Sequence, residues 1–194
     1  MDEPVSRSFD APDNRGGRQR ASVVHISRIA GDEWALLREL RLRSLADSPD
    51  AFGSRLEEAQ AFSHADWQAA ARASAAGERR AWFIAWHDPG DQRLPVGLVQ
   101  ARRRSPADAL LFSMWVAPEA RRSGVGRLLV DAVDAWGATW GAKRIVLWVL
   151  SANDGAHRFY ERLGFRSRDD GPDAQSGAAY GALAMERPVR KVSD

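Results

Sequence analysis

The sequence predicts an α/β (α+β) fold built on a mixed, mostly antiparallel sheet. Three strand-like runs, at residues 79–87, 94–104 and 109–116, follow one another with short turn sequences between them, which predicts an antiparallel meander. An amphipathic helical pattern then leads to an almost wholly apolar run at residues 143–150, as expected of a strand covered on both faces. A strand, a helix and a buried strand form a crossover unit with two parallel strands, which we expect at the centre of the sheet.

Composition limits the kinds of site that the chain can carry. With 194 residues and 44% hydrophobic content, one domain with its own core is expected. The absence of cysteine excludes a disulfide framework, a thiolate metal site and a cysteine nucleophile. The four histidines have no metal-ligand spacing, so we predict no metal.

Charge and hydropathy exclude further classes of protein. The net charge is only +2, because 26 acidic residues nearly balance 28 basic ones, and this balance argues against a nucleic-acid partner. No apolar run approaches the roughly 20 residues that span a bilayer, and the N-terminal residues lack the apolar core of a signal peptide. We therefore expect a cytoplasmic protein with no membrane partner.

The two ends differ from the rest of the chain. Residues 1–20 are rich in Pro, Gly, Asp and Arg with almost nothing to bury, which predicts a disordered leader. The predicted domain covers residues 21–188, and residues 189–194 form a C-terminal tail.

The first elements of the domain are a strand and two helices. Ser22–Ile29 has the β-branched enrichment of a strand. A helical pattern follows, which we expect to begin behind a cap at Asp32 and to stop at Pro49. Ser63, with Asp66 three residues on, predicts the capped start of a second, alanine-rich helix.

The crossover helix has one continuous apolar face, with spacings of four, four, three and four residues: Val125, Leu129, Val133, Trp136 and Trp140. Behind it, residues 153–164 predict a short helix, and residues 165–168 and 178–188 are weaker strand candidates.

The loop in front of the crossover helix is a candidate anion site. Gly124 and Gly126 leave its backbone amides uncovered, and amides at a helix N-terminus suit an anion such as a pyrophosphate. An ordinary tight turn is the alternative. Two other phosphate loops are excluded, because Gly126 is not followed by Lys-Ser/Thr and because Leu129 replaces the third glycine of the dinucleotide fingerprint.

Two motifs in the expected order resemble those of the GNAT superfamily of acetyl-CoA-dependent N-acetyltransferases. The first is R-R-S-G-V-G at residues 121–126, preceded by V-A-P at 116–118. The second is N-D-G-A-H-R-F-Y-E-R-L-G-F at residues 153–165. The resemblance extends over residues 22–188 and is strongest from 109 to 165. It implies a sheet that splays near Val116 and Val149 to admit acetyl-CoA.

The resemblance also implies roles for individual residues. The backbone of Met114, Trp115 and Val116 would line the pantetheine arm and polarise the thioester carbonyl. Asn153 would contact acetyl-CoA, and Tyr160 would protonate the departing thiolate. The pyrophosphate would lie on the amides of the loop, namely Arg121, Arg122, Ser123, Gly124, Val125, Gly126 and Arg127. Arg122 is a departure, because many members have glycine at its position.

The general base is the least determined part of the predicted site. The third meander strand carries no acid, and Glu57 and Glu58 are the nearest candidates, since their segment crosses the acceptor pocket in resembling proteins. The alternative, which the pattern favours, is that they are two acids in the first turn of a short helix. In the same way, Asn153 could be a helix cap and Tyr160 a packing residue.

These observations predict direct transfer of an acetyl group from acetyl-CoA to a primary amine of a small molecule or peptide in a ternary complex. The segment over residues 40–59 resembles a bacterial subgroup whose substrates are mostly unassigned. A non-catalytic acyl-CoA-binding regulator is the alternative, and a nucleic-acid or partner-binding protein is a third class. Both a monomer and a homodimer stay open.

Overall fold

The computed structural model describes the backbone of residues 6–8 and all atoms of residues 23–88, 92–168 and 181–190. The elements follow one another as β1 (Ser6–Ser8), β2 (Val23–Arg28), α1 (Trp34–Asp47), α2 (Leu56–Gln60), α3 (His64–Ala76), β3 (Arg80–Asp88), β4 (Leu94–Arg103), β5 (Asp108–Val116), α4 (Val125–Thr139), β6 (Arg144–Leu150), α5 (Asp154–Arg162), β7 (Arg166–Ser167) and β8 (Ala182–Pro188). Two short 3-10 turns, Pro49–Ala51 and Pro118–Ala120, follow α1 and β5.

The strands form one eight-stranded sheet in the order β1-β2-β3-β4-β5-β6-β8-β7. Every neighbouring pair is antiparallel except β5 and β6, which are parallel. The predicted mixed, mostly antiparallel sheet with a central crossover is therefore confirmed.

The crossover helix α4 packs its apolar face onto the sheet. Val125, Leu129 and Val133 are buried to 1% exposure or less, as the spacing predicted. Gly97 on β4 permits this approach, because a Cβ at that position would lie 2.9 Å from the Trp115 carbonyl oxygen and 3.2 Å from the Leu129 Cδ1 atom. Close packing of α4 fixes the loop that precedes it against the end of β5.

β5 and β6 separate after a short paired segment. They pair only over their first three residues, Asp108–Leu110 with Arg144–Val146. On its other side, β6 pairs with β8 over its whole length. The predicted splay between the Val116 and Val149 ends is thus present, and it leaves peptide groups of both strands facing an opening.

The N-terminal part departs from prediction at two points. Ser6–Ser8, within the predicted leader, forms a strand antiparallel to β2, whereas residues 1–5 and 9–22 lie outside the described residues. The predicted cap at Asp32 is wrong, because α1 begins behind Glu33. A Glu33 carboxylate oxygen instead accepts a hydrogen bond from the Ala30 amide at 2.8 Å. The residue that precedes the helix is therefore Glu33, one position after the predicted Asp32.

Other predicted boundaries hold. α1 ends at Asp47, two residues before Pro49. Ser63 caps α3 by accepting from the Asp66 amide at 3.3 Å, while Asp66 accepts from the Ser63 amide at 2.8 Å. The predicted tail at 189–194 is described only for its first two residues, and residues 169–180 and 191–194 lie outside the description.

A buried ion pair joins α4 to β8. Arg187 donates to both carboxylate oxygens of Asp134, and both side chains are at most 3% exposed. Arg187 also donates to the Pro188 carbonyl oxygen at 3.0 Å, and the Arg190 amide donates to Asp134 at 3.1 Å. Because each charge has several partners, the pair can remain ionised inside the core.

Candidate active site

The loop between β5 and α4 turns through two residues with left-handed backbone. Gly124, the residue before α4, has φ +90° and ψ −9°, and Arg122 has φ +65°. For a residue with a side chain, the left-handed backbone conformation is less favourable than the right-handed one by about 1–2 kcal/mol. Arg122 therefore adopts here the conformation that glycine, common at this position in resembling proteins, adopts more easily.

Five successive amides of this loop have no hydrogen-bond acceptor among the described residues, and they belong to Arg122, Ser123, Gly124, Val125 and Gly126. The amides on either side are bonded within the loop, since Arg121 donates to the Pro118 oxygen at 3.3 Å and Arg127 donates to the Gly124 oxygen at 3.0 Å. Unpaired amides at the positive end of a helix attract an anion. Of the seven residues predicted to bind the pyrophosphate through their amides, five, residues 122–126, have an amide without an acceptor among the described residues.

Arg121 does not extend over this amide row. Its Nε atom donates to the Val116 carbonyl oxygen at 3.0 Å, and its NH2 group pairs with Asp47. Arg122 is exposed and forms no ion pair with any residue in the described ranges. Arg121 is therefore engaged elsewhere, whereas the guanidinium of its neighbour Arg122 is free to reach an anion on the amides.

Asp47, at the C-terminus of α1, connects that helix to the loop. It accepts hydrogen bonds from the Ser48 hydroxyl at 2.7 Å and from Trp115 Nε1 at 2.8 Å, in addition to the ion pair with Arg121. Partial burial opposes its ionisation, but the Ser48 and Trp115 hydrogen bonds and the charge of Arg121 together lower the pKa of Asp47. We call Asp47, Trp115 and Arg121 the α1 clamp.

The end of β5 contains a bulge that the sequence did not reveal. Trp115 lies opposite Leu98 on β4, but Phe112 lies opposite Gln100, so β5 has one more residue than β4 over this stretch. Ser113, within the bulge, has φ +53°. Residues 114–116 follow the bulge at the splay, so their peptide groups on the β6 side have no strand partner there.

Met114 and Tyr160 meet beside the amide row. The Tyr160 hydroxyl donates to the Met114 sulfur at 3.3 Å. A Cβ on Gly126 would lie 3.1 Å from Met114 Cε and 3.1 Å from Phe159 Cζ. The end of β5, the start of α4 and one face of α5 are therefore in contact here.

Tyr160 is held in a closed aromatic environment. It is 7% exposed, and its ring contacts those of Phe159 and Phe165 edge to face, with centroids 5.1 and 5.4 Å apart. Burial raises the pKa of the Tyr160 phenol well above its ordinary value. The hydroxyl is therefore protonated and acts as a hydrogen-bond donor.

Asn153 caps α5, because its Oδ1 atom accepts from the Ala156 amide at 3.0 Å. It also lines an open cleft of about 420 Å³. One wall of this cleft is residues 47–51, at the end of α1, and the other is residues 152–155, at the end of β6. The cleft contains three carboxylates, of which Asp47 pairs with Arg121 and Asp154 lies 3.8 Å from Arg158, whereas Asp50 has no ion-pair partner among the described residues.

Glu57 and Glu58 lie outside this cleft. Both are exposed in the first turn of α2, and neither is among the residues of the two walls. Glu58 accepts from the Arg55 amide at 3.1 Å and so closes the N-terminus of that helix. The observed arrangement is the alternative that the sequence left open, two acids in the first turn of a short helix.

The described residues contain no group of three or more His, Asp or Glu side chains placed to hold a metal ion. None of the helices in the described ranges is long and apolar enough to cross a bilayer.

Comparison with known sequences identifies relatives over part of the chain. Uncharacterized N-acetyltransferases of Mycobacterium tuberculosis and Mycobacterium bovis are 35% identical over 88 residues, which cover 45% of this chain and 54% of theirs. An uncharacterized N-acetyltransferase of Methanocaldococcus jannaschii is 33% identical over 61 residues, 31% of this chain and 27% of its own. The chain thus spans about half the length, or less, of the curated relatives that it matches.

Two solved structures share the fold. The PaiA N-acetyltransferase of Thermoplasma acidophilum, in complex with coenzyme A, superposes with a TM-score of 0.65 at 16% identity, over 85% of this chain and 98% of that one. YncA, an acetyltransferase of Salmonella typhimurium with acetyl-CoA, superposes with a TM-score of 0.64 at 16% identity, over 88% of this chain and 96% of that one. The sequence model of the acetyltransferase (GNAT) family matches residues 39–165. The chain therefore belongs to the acetyltransferase (GNAT) family.

Proposed function

We propose that the protein is an acetyl-CoA-dependent N-acetyltransferase that acts on a primary amine of a small molecule or peptide. The observation that carries this proposal is the row of five unpaired amides, 122–126, at the start of α4 and beside the splay of β5 and β6. Family membership and the coenzyme A or acetyl-CoA in two structures of the same fold support it.

The residues present fit acetyl-CoA. The amide row and the exposed guanidinium of Arg122 would hold the pyrophosphate. The Met114 peptide group and the Val116 amide, which have no β6 partner at the splay, would bind the pantetheine arm as a strand partner would. Asn153, at the end of β6, would contact the arm from the other side of the splay. Acetyl-CoA, when bound, supplies an acetyl group activated as a thioester.

Backbone donors at the end of β5 would polarise the thioester carbonyl. The β5 bulge aims the peptide groups of Met114 and Val116 away from the ladder with β4, and fixed donors of this kind stabilise the negative charge that develops on oxygen. They need no reorganisation during the reaction, because α4 and β4 hold the strand in place.

Tyr160 would assist departure of the sulfur. Burial raises the pKa of the Tyr160 phenol and keeps it protonated, so the hydroxyl can donate a hydrogen bond to the sulfur as negative charge develops there. An ordinary thiol has a pKa of about 8.5, so the thiolate can leave as an anion, and Tyr160 is the donor that would stabilise it. The Met114 sulfur, which now accepts from Tyr160, is a local substitute for that acceptor.

The proton of the ammonium requires a base near the cleft. Asp50 lines the cleft and forms no ion pair with another residue of the described ranges, whereas Asp47 belongs to the α1 clamp. We propose Asp50 as this base, and Glu57 and Glu58 remain the candidates from the sequence. Since the chain has no cysteine, a cysteinyl acyl-enzyme is excluded, and holding both substrates together supports direct transfer in a ternary complex.

An amine panel with a thiol-release readout tests the proposal. Thiol release from acetyl-CoA should depend on an added amine and should give intersecting double-reciprocal lines when both substrates are varied. Parallel lines would indicate a covalent intermediate and contradict the ternary complex. Tight acetyl-CoA binding without release on any amine would instead favour a non-catalytic acyl-CoA-binding protein.

A further inference from the structure

Two ion pairs join α1 to the loop between β5 and α4. Asp47 pairs with Arg121, and Arg43, one helical turn earlier, pairs with Glu119 at 2.6 Å. The Trp115 ring contacts one member of each pair, because its Nε1 atom donates to Asp47 at 2.8 Å and the Arg43 guanidinium carbon lies 5.1 Å from its centroid. The same helix is therefore connected to the same loop at two points.

Of these two pairs, the one made by Asp47 reaches the cleft. Asp47 belongs to the wall 47–51, whereas neither member of the other pair lines either wall. Its side chain is also the least exposed of the four, at 21%, and an ion pair is weaker when its members are exposed to water. The Ser48 hydroxyl donates to Asp47 at 2.7 Å, and the NH2 group of Arg121 donates to the same hydroxyl at 3.5 Å. The Arg121 guanidinium therefore contacts two successive residues of the wall.

Arg121 also contacts the proposed acetyl-CoA site. Its Nε atom donates to the Val116 carbonyl oxygen at 3.0 Å, and its own amide donates to the Pro118 oxygen at 3.3 Å. The row of unpaired amides begins at the next residue, Arg122. One side chain therefore connects the end of β5 and the start of the amide row to the wall of the cleft.

The wall 47–51 is held to its own helix by local backbone bonds. The Ser48 amide donates to the Ser44 oxygen at 3.1 Å, and the Ala51 amide donates to the Ser48 oxygen at 3.0 Å. Bonds of this kind fix the shape of the turn, but they do not fix its position against the loop that precedes α4. That position depends on the side-chain contacts of Asp47, and a segment held by few such contacts opens at a low free energy.

We propose that Asp47 and Arg121 are positioning residues for the reaction, whose ion pair carries the occupancy of the amide row to the wall 47–51. The wall is then ordered for the amine when CoA is bound. The Arg43–Glu119 pair has no such role, because it holds the helix without contacting the wall. Linkage makes the effect reciprocal, so CoA and the amine strengthen each other's binding. This inference rests on the proposed N-acetyltransferase function, of which it names two positioning residues.

Amide hydrogen exchange with CoA alone as the probe tests the inference without an acceptor. In the wild type, saturating CoA should slow exchange in the segment 47–51 by about fivefold or more, the lower end of ordinary coupling between two sites. In Asp47→Asn and in Arg121→Gln, each saturated with CoA, the slowing should fall below about twofold. Glu119→Gln is the matched control, since it removes one carboxylate charge from an ion pair between the same helix and loop, and it should keep the full effect.

Steady-state kinetics with the amine that gives the fastest thiol release in the panel separates positioning from a structural role. At saturating acetyl-CoA, Asp47→Asn should raise the KM for the amine by about fivefold or more while kcat stays within about threefold, because saturating amine itself orders the wall. Glu119→Gln should change KM by less than about twofold. The double variant Asp47→Asn/Arg121→Gln should be no worse than the more affected single variant, because both substitutions break the same pair.

The outcomes distinguish this inference from the proposed function. Equal slowing of exchange in Asp47→Asn and in the wild type would overturn the inference, as would no slowing in a wild type that binds CoA. An equal loss in Glu119→Gln would also overturn it, because that result would show a general loosening of α1. CoA-dependent slowing without thiol release on any amine would defeat the proposed function alone, and a wild type that does not bind CoA would defeat both.

Discussion

Replacement of Gly124 by alanine should weaken CoA binding through the backbone. Gly124 has φ +90°, and its amide is the third of the five unpaired amides in the row 122–126. The left-handed conformation is less favourable for alanine by about 1–2 kcal/mol. The variant therefore either keeps the turn in a strained conformation or changes its φ angle at residue 124. A change in φ would rotate the neighbouring amides so that they no longer point toward the same anion, and their hydrogen bonds to it would weaken.

The two consequences have different magnitudes. Strain of about 1–2 kcal/mol lowers the Tm of a chain of this size by roughly 2–8 °C. One charge-assisted hydrogen bond contributes about 1.5–3 kcal/mol, so the loss of one such bond raises the Kd for CoA by about tenfold or more. Calorimetric titration with CoA measures the second effect, and a thermal melt without CoA measures the first.

Gly141→Ala is the matched control. Gly141 lies just beyond the other end of α4 with φ +79°, and a Cβ there would have nothing within 4 Å. Gly141→Ala should therefore lower Tm by an amount similar to that of Gly124→Ala while leaving the Kd for CoA unchanged. An unchanged Kd in Gly124→Ala, or an equal loss in both variants, would refute the assignment of the amide row as an anion cradle.

Three further predictions follow from the same geometry. Tyr160→Phe should lower kcat by about tenfold or more while the Kd for acetyl-CoA stays within about twofold, since only the donor to the sulfur is lost; an unchanged kcat in steady-state assays would remove Tyr160 from the reaction. Asp47→Asn should weaken the α1 clamp and raise the Kd for CoA by a few-fold. Because the folded pKa of Asp47 is lowered, the clamp should be intact at neutral pH and fail only as pH falls through that lowered pKa, and a clamp lost near neutral pH would contradict this. Asp134→Ala should lower stability by about 3–5 kcal/mol, seen as a Tm reduced by roughly 10 °C or more, because it leaves the Arg187 charge buried and unpaired; an unchanged Tm would contradict that cost.

Much of the fold follows from the period of the apolar residues. The three meander strands, the apolar face of α4 and the buried strand β6 lie where their patterns predict. These elements depend on burial, and burial repeats with the geometry of a strand or helix. The Asp32 cap was not correct, because the choice between neighbouring acids depends on which one reaches a free amide, and Glu33 reaches that of Ala30.

The site was predictable only in its local parts. The amides of 122–126 and the helix position of Tyr160 follow from short motifs, since neighbouring residues determine them. The β5 bulge at Ser113 and the α1 clamp of Asp47 depend on contacts between distant segments. Nothing in the spacing of residues along the chain signals such contacts, which is why Asp47 reads in the sequence only as the end of a helix.

A crystal structure of the acetyl-CoA complex tests the central claim most directly. The pyrophosphate should lie on the amides of residues 122–126, the pantetheine arm between the diverging ends of β5 and β6, and the thioester sulfur within hydrogen-bond distance of the Tyr160 hydroxyl. Acetyl-CoA bound elsewhere, or a thioester remote from Tyr160 with the splay unfilled, would contradict the proposed site.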